Sequence, residues 1–137
     1  MLLPLLESDL FEVMMACVEG RLAQQAVQWA PGCACTVVCA APGYPEAYPK
    51  GLPISGLAEA AELPGVTVFH AGTKLSSVGG SDGSGGVDSE RVETSGGRVL
   101  AVTGVGPDLR AAVASAYSGV AKISFDGMHR RTDIARR

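Results

Sequence analysis

The alternation of apolar and polar positions marks out five elements. Leu109, Val113, Ala116, Val120 and Ile123 step by four, three, four and three. That spacing lines one face of an α-helix and predicts a helix over 109–122. Gly106-Pro107-Asp108 supplies its start, because proline is tolerated in a first helical turn. Leu10, Val13, Met14 and Cys17 predict a second amphipathic helix over 9–19, with Asp9 and Glu12 as a capping box and Gly20 as a stop. Its methionines read as core filler. Three short runs rich in Val and Thr, 34–41, 66–69 and 98–103, predict strands, the last alternating as a half-buried strand does. The stretch from Pro42 to Gly51, with three prolines and two glycines, predicts a loop. Ser76 to Gly86, nearly all Gly and Ser, predicts a flexible hairpin connection. Phe125-Asp126-Gly127 reads as a turn, followed by a basic tail. The expected fold is α+β: a small, mainly antiparallel sheet with a packed helix.

Composition narrows this further. A chain of 137 residues suits one small domain, and its 47% hydrophobic content favours a packed core over disorder. A net charge of -3 argues against a general nucleic-acid or membrane-surface binder. The charge is uneven: residues 1–93 carry 11 acids against 4 Lys/Arg, and residues 94–137 carry 3 acids against 7 Lys/Arg. An anionic ligand is therefore better received by the last third of the chain, although a solvated surface dipole fits the same numbers. Cys33, Cys35 and Cys39 lie in an apolar stretch, and Cys17, His70 and His129 form no second cluster. They read as core residues, with no metal site. Met1 to Leu6 is too short, and too quickly followed by Glu7 and Asp9, for a signal peptide or a membrane span. It reads as the cut end of a strand.

Four segments carry a resemblance. Ser8-Asp9-Leu10 and Glu19-Gly20 lead into Gly43-Tyr44-Pro45-Glu46-Ala47-Tyr48-Pro49-Lys50-Gly51. Val68-Phe69-His70-Ala71-Gly72-Thr73 follows. Thr94-Ser95-Gly96-Gly97-Arg98-Val99-Leu100 comes third, with Val102-Thr103. Phe125-Asp126-Gly127 with Arg130, Arg131, Asp133 and Ile134 comes last. In this order and spacing they resemble the C-terminal domain of glycinamide ribonucleotide synthetase (phosphoribosylamine–glycine ligase), an ATP-grasp enzyme, along nearly the whole chain. The resemblance implies a barrel-like hybrid domain over 33–137, preceded over 1–32 by the end of the ATP-grasp domain and a linker helix. It implies part of a ligase of purine biosynthesis, which joins glycine to 5-phosphoribosylamine with ATP and Mg²⁺ or Mn²⁺ through a glycyl phosphate. The family's Gly-Asp-Pro-Glu-like metal-binding motif has no match here. ATP and metal are therefore expected on the ATP-grasp domain, which is the expected partner, and this chain alone is expected to be inactive. No catalytic or metal-ligating residue is assigned to it. The expected setting is the cytoplasm or a plastid.

Substrate contacts are expected on loops that face the ATP-grasp domain. Ser95, Gly96 and Gly97 offer backbone N–H groups and Arg98 a guanidinium for the ribose phosphate; a simple hairpin turn fits the same residues. Gly43, Tyr44 and Pro45 read as an active-site wall or a rigid turn, and His70 as a base or a satisfied strand-end histidine. Arg130 and Arg131 read as phosphate ligands or as partners of Asp133 and the ATP-grasp domain. The family often has Asn at the position of Ser95 and Gly at that of Ala135. A biotinyl- or lipoyl-type carrier is disfavoured, because Lys50, Lys74 and Lys122 have no Met neighbour. A non-catalytic interaction module derived from the same domain remains the alternative.

Overall fold

The computed structural model describes residues 2–78 and 89–136. Its elements in chain order are α1 (Leu10–Val18), β1 (Cys33–Ala40), α2 (Leu57–Ala61), β2 (Val66–His70), β3 (Thr73–Val78), β4 (Ser89–Thr94), β5 (Arg98–Gly106), α3 (Leu109–Lys122) and β6 (His129–Arg130). Four strands form an antiparallel sheet in the order β2-β5-β1-β6, and β3 with β4 forms a separate ribbon. This is the α+β architecture expected from the pattern.

Side chains of a strand alternate between faces, so the register sorts the sheet. Cys35, Val37 and Cys39 pair with Gly104, Val102 and Leu100. All of these join Ala112, Ala116 and Val120 of α3 in the core, apart from the side-chain-less Gly104. That glycine admits the helix: a Cβ on it would run into the Ala116 nitrogen and stand 2.5 Å from the Ala112 carbonyl oxygen. The close approach also turns α3. Its buried stripe is Ala112, Ala116, Gly119 and Val120, while Leu109, expected in the core, is half-exposed. Small residues face the sheet because nothing larger fits between two backbones so near. Asp108 caps α3, accepting from the Ala111 N–H at 2.8 Å.

The opposite face carries Thr36, Val38, Ala101 and Thr103. Thr36 and Thr103 share a hydroxyl–hydroxyl hydrogen bond of 2.7 Å. The turn of 3₁₀ helix at Leu3–Leu5 packs against β1 and β5. The apolar N-terminus is thus no strand, although Leu6 bridges to Trp29. Asp9 caps α1 through the Phe11 N–H. Of the predicted apolar face of α1, Leu10, Met14 and Cys17 are exposed and Val13 is half-buried; beside it Phe11 and Val18 are exposed at 67% and 80%. Ala16 is the buried residue of α1, and the 3₁₀ turn at Leu22–Gln24 packs against this helix.

The ribbon corrects the sequence expectation for Ser76 and Ser77. Both lie in β3, paired with Arg91 and Glu90. The remainder of the expected Gly/Ser connection, 79–86, lies outside the described residues. Residues 51–54 run along β4: the Gly51 and Ile54 N–H groups donate to the carbonyls of Thr94 and Val92. Glu93 is buried there between Arg91 at 2.6 Å and Lys74 at 3.4 Å. Those cations hold its carboxyl below the usual range, Arg91 contributing most.

Candidate functional site

The loop after β1 and the hairpin before β5 meet at one end of the sheet. The Ala41 N–H donates to the Gly97 carbonyl at 2.8 Å and holds the two together. Gly97 lies directly under the Tyr44 ring: a Cβ on it would collide with that ring and stand 3.0 Å from the Tyr48 ring. Tyr44 and Tyr48 pack edge to face with centroids 6.0 Å apart, an arrangement aromatic pairs favour. The Tyr44–Pro45 peptide bond is cis, and Gly43 has a φ of 88°, in the left-handed region that suits glycine.

These elements enclose an open cleft of about 570 Å³, lined by Val38, Tyr44, Gly72, Gly96, Gly97 and Arg98, with Ala71, Leu100 and Ala101. Val38 and Ala101 place it against the sheet face remote from α3. Sequence positions more than fifty residues apart, Tyr44 and Gly97–Arg98, converge here. Gly72 enters as well, a residue not singled out from sequence. Its signal was the glycine itself: its Cα stands so near Gly96 that a Cβ would lie 2.7 Å from the Gly96 Cα.

The hairpin uses its amides differently from the expectation. The N–H groups of Ser95 and Gly96 both donate to the Gly72 carbonyl, at 2.7 and 3.1 Å. Those two amides are occupied within the hairpin, and the exposed Arg98 is the cation among the residues that line the cleft with Gly97 and Tyr44. Gly43 and Pro45 shape the loop without lining the cleft.

The other candidates stand apart. His70, at the end of β2, bonds through Nδ1 to the Thr73 hydroxyl at 3.0 Å and lines a different hollow with Lys74, Leu75 and Val92. Arg131 makes two hydrogen bonds to Asp133, at 2.9 and 2.8 Å, which hold the Asp133 carboxyl below its usual range. Arg130 pairs with Cys39 across β6 and β1 and so lies on the α3 side. Cys35 and Cys39 are buried free thiols, and desolvation pushes Cys39 up to about 11 against the opposing pull of Arg130. Among the described residues no group of three or more His, Cys, Asp or Glu is arranged to hold a metal ion. No described helix is long and apolar enough to cross a membrane.

Comparison with known proteins places this geometry. Residues 34–137 match the family model described as phosphoribosylglycinamide synthetase, C domain. The chain is 51% identical over 133 residues to the phosphoribosylamine–glycine ligase of Synechocystis, covering 96% of this chain and 29% of that protein. It is 47% identical to the trifunctional purine biosynthetic protein adenosine-3 of Gallus gallus, covering 99% of this chain and 12% of that protein. The crystal structure of the phosphoribosylamine–glycine ligase of Thermotoga maritima superposes with a TM-score of 0.61 at 32% identity, over 90% of this chain and 28% of that one. The chain thus spans under a third of the length of these relatives. It belongs to the phosphoribosylglycinamide synthetase C-domain family.

Proposed function

We propose that this chain is the C-terminal part of a phosphoribosylamine–glycine ligase and closes the active site over the ribose phosphate. The reaction converts ATP, 5-phosphoribosylamine and glycine into glycinamide ribonucleotide, ADP and phosphate. The observation that carries the reading is the Tyr44–Gly97–Arg98 cleft, which sets a guanidinium and a phenol edge on the sheet face that α3 does not cover. Arg98 gives a charge-assisted contact to the phosphate. Tyr44, wedged over Gly97, forms the wall beside it. The partner is the ATP-grasp portion of the same enzyme, seated against the exposed apolar residues of α1. Residues 1–32 belong to that junction and 33–137 to the C-terminal domain.

ATP and Mg²⁺ or Mn²⁺ belong to the partner portion, where cations neutralise the charge developing on the transferred phosphoryl group. This chain's own contribution is to position one substrate and to exclude water. The reaction's setting is the cytoplasm, with a plastid as the alternative.

The test is complementation. The ATP-grasp portion and this chain, produced separately and mixed, should form ADP only when glycine and phosphoribosylamine are both present, and neither piece should do so alone. Arg98→Gln should raise the KM for phosphoribosylamine about tenfold or more while leaving the KM for glycine unchanged, as for one lost charge-assisted hydrogen bond. An unchanged KM for phosphoribosylamine would remove Arg98 from the phosphate site and leave the ligase assignment standing. Failure of the two pieces to associate would favour a non-catalytic interaction module.

A further inference from the structure

The last strand and the tail build a second cleft on the α3 side of the sheet. It is about 290 Å³, lined by Val113, Tyr117, Arg130, Thr132, Ile134 and Arg136, and shares no lining residue with the Arg98 cleft. Its construction follows from three contacts. The β6–β1 pairing sets Arg130 opposite Cys39, whose side chain packs toward α3. The Tyr117 hydroxyl donates to the Arg131 carbonyl at 2.9 Å and accepts from the Ile134 N–H at 3.1 Å, which holds the tail across the helix. Arg131 and Asp133 take each other up through two hydrogen bonds.

Arg130 and Arg136 are the cations of its lining. Among the described residues neither makes an ion pair. Asp133 feels Arg136 only as a weaker influence beside Arg131, which takes both carboxylate oxygens. The rest of the lining is Val113, Ile134 and Tyr117, mainly apolar, with Thr132 as a further polar residue. Two guanidinium forks suit a dianion with several acceptor oxygens better than a single carboxylate. A mainly apolar lining suits the carbon body attached to that anion.

We propose that the Arg130–Arg136 cleft binds the phosphate group of a small phosphate ester, at a site separate from the Arg98 cleft and on the other face of the sheet. The ester's phosphate bridges the two guanidiniums and takes a hydrogen bond from Thr132, while its organic part covers Tyr117 and Val113. Nothing in this proposal depends on the ligase reading, because the cleft is formed wholly by this chain.

The experiment is an amide-resolved NMR titration of the whole chain at low ionic strength with phenyl phosphate, inorganic phosphate and benzoate. Phenyl phosphate should shift the Val113, Thr132 and Arg136 amides saturably and bind more tightly than inorganic phosphate or benzoate. Arg136→Gln should weaken that binding about tenfold or more, and Arg98→Gln should leave it unchanged. The proposal is overturned if those amides show no saturable shift, or if the shift persists undiminished in the Arg130→Gln/Arg136→Gln double variant. Benzoate binding as tightly as phenyl phosphate would overturn the phosphate assignment. Shifts confined to the amides around Arg98 would place the only anion site in the other cleft and overturn the proposal as well.

Discussion

The two faces of the four-stranded sheet are finished differently. On one face α3 lies so close to β5 that Gly104 must have no side chain, and Val37, Cys39, Leu100 and Val102 are sealed from water. On the other, Thr103 is covered, but Val38 is 41% exposed beside an open cleft, and the nearby N-terminal segment shows Leu10, Phe11, Met14 and Val18 to solvent. Interiors are packed to near-crystalline density, and large exposed apolar patches mark interaction surfaces. The contrast therefore separates what this chain supplies for itself from what it offers to a neighbour. The sealed face explains why the domain folds. The open face carries the Arg98 cleft, and the Arg130–Arg136 cleft lies on the α3 side.

The largest effect should come from Gly104→Val. The added side chain meets the backbone of α3 at Ala112 and Ala116, which cannot swing aside as a side chain can. Chemical denaturation should show a loss of about 3 kcal/mol. Val38→Ser on the open face should stay within about 0.5 kcal/mol of the parent chain. Equal losses at the two positions would break the comparison.

The cysteines sharpen it. With its pKa pushed to about 11 from an ordinary 9.0, Cys39 holds about a hundredfold less thiolate at neutral pH than an unperturbed thiol. Cys17, exposed on α1, should be alkylated first and Cys39 last, as followed by mass spectrometry of the native chain. The sign for stability follows from the direction of the shift. Burial favours the neutral thiol in the folded state, so its contribution is complete below pH 9.0 and is lost as pH rises toward about 11. Cys39→Ala should flatten the stability profile across that window.

The smallest effect concerns the tail on the sealed side. Ala135 has a φ of 58°, the left-handed region that disfavours a residue with a Cβ. Ala135→Gly should therefore stabilise the chain by up to about 1 kcal/mol, read from denaturant midpoints. A loss of stability would mean that the tail gains more from the rigidity of alanine than it loses to this conformation.

Elements that bury one face were legible in the sequence, and elements that do not were hidden. The helix expected over 109–122 forms at Leu109–Lys122, and the three Val- and Thr-rich runs became β1, β2 and β5, because burial had written its period into them. Strands β3 and β4 left little trace. Ser76 and Ser77 pair with Arg91 and Glu90 through the backbone, and the one Leu75–Val92 pair between them and Lys74 is too little to set an apolar period. The five-residue α2 was too short to show a period. For α1 the period was real but the inference of burial was not, since an amphipathic stripe says only that something covers it. Of the candidate site, Tyr44 and Gly97–Arg98 were named from motifs, but their convergence is tertiary. The occupation of the Ser95 and Gly96 amides by Gly72 follows from a hairpin closure that spacing does not encode.

One phenolic oxygen has a reach beyond its own neighbourhood. By clasping the Arg131 carbonyl and the Ile134 N–H, Tyr117 sets the heading of the backbone through residue 136. The clasp thereby ties the position of the tail to the middle of α3. A single side chain of α3 thus serves as a mooring for the tail.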